Sequence, residues 1–104
     1  MRKVKSVYIS GPITGINDYW EPFDKAEDDL TCRGFTVLSP ARLPEGLTKA
    51  QYMRIDFAMI DSADAVLFLP EFFKSAGARL EWEYCQYTGK PCVYNPDALS
   101  EVRL

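Results

Sequence analysis

The chain has 104 residues and a mass of 11.8 kDa, of which 47% is hydrophobic and 13% aromatic; this supports one packed core and excludes a disordered chain. At that length a single domain over residues 1–104 is expected rather than two. Acidic residues outnumber basic ones, 15 against 12, for a net charge of −3 and a pI near 4.9, which argues against a nucleic-acid partner held by a basic surface.

Lys3 to Ser10 (KVKSVYIS) is a β-rich run ending at Gly11-Pro12, which predicts a strand and a turn. Asn17 or Asp18 can cap a helix whose first turn carries Glu21 and Pro22. Phe23, Ala26, Glu27 and Leu30 follow at helical spacing until Gly34. Phe35 to Leu38 predicts a second strand, closed by Ser39-Pro40, and Ala41 to Gly46 a loop. Thr48 caps a second helix to about Ser62. Asp64 to Leu69 (DAVLFL) is the continuous apolar run of a strand inside a parallel sheet, ended by Pro70. A third helix starts at Ser75 or Gly77 and stops at Gly89, Pro91 to Tyr94 is a fourth strand, and the last ten residues read as a tail.

With no hairpin signal, the β-α-β-α-β-α-β order predicts a parallel four-stranded sheet, ordered about 2-1-3-4, in a flavodoxin- or Rossmann-like three-layer sandwich with helices on both faces. Ligands of such sheets sit beyond the carboxyl ends of the strands. Two of those ends are rich in small residues, Ser10-Gly11-Pro12-Ile13-Thr14-Gly15 and Ser75-Ala76-Gly77, and the site is expected between them.

The chain has no histidine, which excludes Ser-His and Cys-His nucleophiles and His-containing metal sites. Its three cysteines, Cys32, Cys85 and Cys92, are far apart; they are expected as reduced core thiols in a cytoplasmic protein. No apolar run is long enough for a bilayer, and the start, MRKVKSVYISGP, lacks the apolar stretch of a signal peptide.

Chemistry must then rest on carboxylates, hydroxyls, phenols, cations and backbone groups. Asp56 lies on or beside the Met53, Phe57, Ile60 stripe of the second helix; it is either a buried, partnered carboxylate or a solvated residue at the stripe's edge. In the third helix Glu81 shares a face with Ala78, Trp82 and Cys85, and Glu83 one with Leu80, Tyr84 and Tyr87. Periodicity does not choose between them, and both read equally as solvated helix residues. Ser75-x-Gly77 at a helix start suits an anion, or is simply a serine cap. Tyr8 reads as an ordinary half-buried strand tyrosine. Phe72, Phe73, Tyr19 and Trp20 could stack on a base or plug a subunit interface.

Taken together, these pieces resemble the nucleoside 2-deoxyribosyltransferase-like superfamily over Tyr8 to Tyr94. The resemblance is carried by Tyr8-Ile-Ser-Gly-Pro-Ile13, by Asp56 eight residues before Asp64-Ala-Val-Leu-Phe-Leu69, and by Ser75-Ala-Gly-Ala-Arg-Leu-Glu81, which fits Ser-x-Gly-x-x-x-Glu. It implies transfer or hydrolysis of the N-glycosidic bond of a 2′-deoxynucleoside or its 5′-monophosphate, with no metal or cofactor. Glu81 would be the nucleophile, Asp56 would position the sugar or assist proton transfer, and Tyr8 would orient Glu81. Gly11, Ile13, Thr14, Ser75 and Gly77 would line the sugar's 5′ end, with Ser75 and Gly77 holding a phosphate. Two departures stand out. The phosphate-binding branch has an arginine where this chain has Thr14, and the transferase branch uses an asparagine from a neighbouring subunit, for which Asn95 is the candidate.

Paired glycosidic carboxylates predict Glu81 and Asp56 about 5–9 Å apart. Its position early in the helix predicts an ionised Glu81. The apolar faces of the third helix predict a homo-oligomer, a dimer or tetramer. The alternative is a non-catalytic sensor of a nucleotide or NAD-derived ligand on the same fold. A phosphate-accepting receiver domain fits poorly, because the first strand ends in Ser-Gly-Pro rather than acidic residues.

Overall fold

A computed structural model describes residues 2–13 and 20–104. Four strands, β1 (Ser6–Ser10), β2 (Thr36–Leu38), β3 (Ala65–Phe68) and β4 (Cys92–Val93), alternate with three helices, α1 (Trp20–Cys32), α2 (Lys49–Ser62) and α3 (Ala76–Thr88). The sheet is parallel throughout and ordered β2-β1-β3-β4, as expected. The proposed caps Asn17 and Asp18, with Thr14 and Tyr19, lie outside the described residues.

The two-residue period of a strand sorts the core into two layers. From β1, Val7 and Ile9 point to one side, and from β3, Ala65 and Leu67 join them; Phe23, Ala26 and Leu30 of α1 cover this side. Tyr8, Val66 and Phe68 point to the other, against Ile60 of α2 and Cys85 of α3. The result is a three-layer sandwich with the sheet in the middle.

Local chemistry sets the ends. The Asp64 carboxylate accepts from the backbone N–H of Lys5 (2.9 Å) and Ser6 (3.2 Å), so the first strand starts at Ser6 rather than Lys3. Thr48 and Gln51 form a reciprocal capping box at the start of α2. Ser75 caps α3 through Ala78 N–H, and Gly89, at φ +79°, closes it in the left-handed conformation.

Two expectations are corrected. The C-terminal segment is not a loose tail. Asn95 caps a 3₁₀ helix over Pro96–Glu101, Leu99 is buried against the α1 layer, and Val102 and Leu104 pack beside it. Those apolar residues close the end of the core that α1 leaves open. Cys32, at the last position of α1, is exposed rather than in the core, whereas Cys85 is buried.

Gly11 follows β1 where the chain crosses the next strand's exit. A β-carbon there would stand 3.0 Å from both Cβ and Cδ1 of Leu69. Gly11→Ala is expected to cost about 1–3 kcal/mol by overpacking, read as a lower denaturant midpoint with an unchanged slope.

Candidate active site

The segment after β1, the loop between β2 and α2, the inner side of α2 and the start of α3 line a cavity of ≈ 470 Å³; the exit of β3, expected as one of its walls, does not line it. Of the candidate residues, Gly11, Ile13, Asp56, Ser75, Gly77 and Glu81 line it. Apolar walls come from Leu43, Met53 and Leu80. The Tyr52 hydroxyl donates to the carbonyl of Pro44 (2.7 Å) and accepts from Leu47 N–H (3.3 Å), which ties the loop over the cavity to α2.

The choice between the glutamates is decided by α3 packing on the sheet. Glu81 is 5% exposed and Glu83 lies on the solvent side. Glu81 Oε1 accepts from the Ser10 hydroxyl at 2.7 Å and from the Tyr8 hydroxyl at 3.1 Å. Tyr8 is fully buried rather than half-buried, because α2 and α3 together close that face of β1. The sequence placed Ser10 in a segment expected near the site but not as a partner of Glu81. The available signal was its position two residues after Tyr8, on the same strand face.

Asp56 belongs to the inner face of α2 with Ile60 and is 7% exposed. Its carboxyl and that of Glu81 line the same cavity and influence each other's proton affinity. Asp56 Oδ1 is buried and, among the described residues, has no donor.

Burial is the main cause that pushes Glu81 up to about 8, and the nearby Asp56 adds to it; the Ser10 and Tyr8 hydrogen bonds pull the other way. Burial also raises Asp56, to about 6, opposed by its hydrogen bond with Glu81. Burial therefore opposes ionising both carboxyls together. This corrects the expectation of an ionised Glu81: it lies beyond the first turn of α3, where the helix-end charge has faded, and desolvation dominates. Burial, then Glu81 and Asp56, push the Tyr8 phenol far above its ordinary value, so it remains a donor.

Ser75 is engaged as the α3 cap (3.3 Å to Ala78 N–H) while also lining the cavity. A β-carbon on Gly77 would meet only Met53 Sδ and Ser75 Oγ, each at 3.9 Å, so this glycine leaves cavity space rather than avoiding a clash. Asn95 is not brought to the group within this chain; its side chain accepts from Asp97 N–H at 2.9 Å. Phe72 falls in a 3₁₀ turn and stacks among Phe68 and Tyr94 rather than in the cavity wall, while Phe73 and Trp20 are exposed. Among the described residues no cluster of metal-ligating side chains occurs, and no helix is long and apolar enough to cross a membrane.

Residues 5–94 match the family described as Domain of unknown function (DUF4406). No curated protein matches the chain. Three solved chains do. One is a 2-deoxyribosyltransferase from the psychrotolerant bacterium Bacillus psychrosaccharolyticus, described as a biocatalyst for the synthesis of nucleosides. It superposes with a TM-score of 0.66 at 24% identity, over 84% of this chain and 69% of that one. At that identity the likeness is one of fold.

Proposed function

We propose that this chain, which belongs to the family described as Domain of unknown function (DUF4406), breaks the N-glycosidic bond of a 2′-deoxynucleoside or its 5′-monophosphate, by hydrolysis or by transfer to a second base. The observation that carries the reading is the convergence of two buried carboxyls, Glu81 and Asp56, at the wall of a nucleoside-sized cavity, with Tyr8 donating to Glu81. The fold shared with a 2-deoxyribosyltransferase supports it.

In this reading a Glu81 oxygen forms a bond to C1′ as the C1′–N bond breaks, and that bond's electron pair leaves with the base. The base takes up the proton of the Asp56–Glu81 pair and departs neutral. Water, or a second base, then attacks C1′; the ester electrons return to Glu81, and the incoming group's proton restores the pair. Asp56, whose side chain lines the cavity, accepts a hydrogen bond from a sugar hydroxyl. Ile13, Gly11 and Gly77 shape the sugar end of the cavity, and Ser75 with the α3 N-terminus faces a 5′-phosphate.

A second copy of the chain on the outer face of α3 completes the proposal. Leu80 is 50% and Tyr87 93% exposed there, although Tyr84 is already stacked on Phe57 within the chain at 4.4 Å. Asn95 would reach a site only across such an interface.

The test is chromatographic detection of free base from the common deoxynucleosides and their 5′-monophosphates. Release supports the reading. Nucleotide binding without release overturns it in favour of a sensor. Ser75→Ala is expected to weaken a 5′-monophosphate more than the matching nucleoside by about 1–2 kcal/mol, read from the ratio of their dissociation constants. That ratio cancels any general loss from the missing helix cap.

A further inference from the structure

Ser10 contributes the shorter of the two hydrogen bonds to Glu81, and the proposed reaction gives it no role. It is the last residue of β1, fully buried, and its backbone carbonyl is taken by Leu69 N–H at 2.8 Å. The hydroxyl has one proton to donate, and it goes to Glu81 Oε1 at 2.7 Å. Tyr8 donates to the same oxygen at 3.1 Å. A carboxylate oxygen has two lone pairs, so these two donors occupy Oε1 completely. Both donors are fixed by the pleat of one strand, two residues apart, and neither can turn away without leaving a buried hydroxyl unpaired.

Resting on the reading of Glu81 as nucleophile, the geometry points to Ser10 as a positioning residue that, with Tyr8, saturates Oε1 and leaves Oε2 as the oxygen presented to C1′. A hydrogen bond given to the charged form also favours that form, and Ser10 is the strongest influence opposing burial at Glu81. The hydroxyl therefore does two things through one contact: it selects the reacting oxygen, and it holds the carboxyl's proton affinity within reach of neutral pH.

The test is a ¹³C NMR titration of labelled glutamate in the parent and Ser10→Ala, with the Glu81 resonance assigned by its loss in Glu81→Gln. Ser10→Ala is smaller than the parent residue and leaves strand pairing unchanged, and Ser10→Cys, a weak donor of similar size, provides the conservative comparison. In Ser10→Ala the Glu81 midpoint is expected to rise by about one pH unit, with Ser10→Cys in between. In the enzyme assay the alkaline limb of kcat moves up by the same amount, kcat at neutral pH falls about tenfold and KM changes little. A midpoint equal to the parent's overturns the proposal, as does a kcat loss that is the same at every pH. A raised midpoint in a chain whose parent releases no base upholds the Ser10–Glu81 coupling and defeats the functional reading instead.

Discussion

Glu81→Ala is expected to lower base release by at least about 10³-fold, with the chain still folded. The lost group is the one that would form the bond to C1′, and the other carboxylates at the wall among the described residues come from other elements, Asp56 from α2 and Glu45 from the loop before it. Glu83 points to solvent. Folding should survive because the substitution removes a group whose burial is unfavourable, although it leaves Tyr8 and Ser10 without their shared acceptor. Glu83→Ala is the matched comparison on the same helix and should leave turnover unchanged. Asp56→Asn keeps the shape and should slow turnover while ligand binding persists. Activity in Glu81→Ala equal to that of the parent would remove the glutamate from the mechanism.

The second large effect is on stability. Glu81 binds its proton more tightly in the folded chain, with a midpoint near 8, than at its ordinary value of 4.5. Between those two values the folded state holds more protons than the unfolded state, so stability falls as pH rises across that window and is then constant. Glu81→Gln removes the titration while keeping the shape. Its amide oxygen can accept from Tyr8 and Ser10, and its NH₂ can donate to Asp56. At pH 4 the variant and the parent should be similar. By pH 9 the variant should be the more stable by about 2–5 kcal/mol, an increase of at least about 10 °C in melting temperature for a domain of this size. Thermal denaturation across that range checks it. A stability gap that does not widen with pH would show that Glu81 is ionised without cost in the folded chain.

Much of the architecture was legible along the chain. Apolar runs of strand length, separated by helical spacing and punctuated by Gly and Pro, dictate a parallel sheet, because alternating strands and helices can bury both faces in only a few ways. The family-like segments around Tyr8, Asp56 and Ser75 to Glu81 indicated which strand ends to inspect, and those residues do converge. The short range of these signals set the error at the ends: the first strand was read too early because the Asp64 carboxylate that takes the Lys5 N–H lies 59 residues away.

What pattern alone left open depended on contacts between distant segments. Whether Asp56 met solvent, and which of two glutamates faced inward, followed from how α2 and α3 dock on the sheet. Ser10 became visible as a partner of Glu81 only when β1 and α3, 71 positions apart in the chain, were side by side. The protonation of Glu81 reversed the reading from helix position, because a proton affinity sums desolvation and every nearby charge and donor. The sequence determines which groups are available and which strand face each one takes. Only the packed structure decides how much water is removed from a carboxyl group, and that sets its charge.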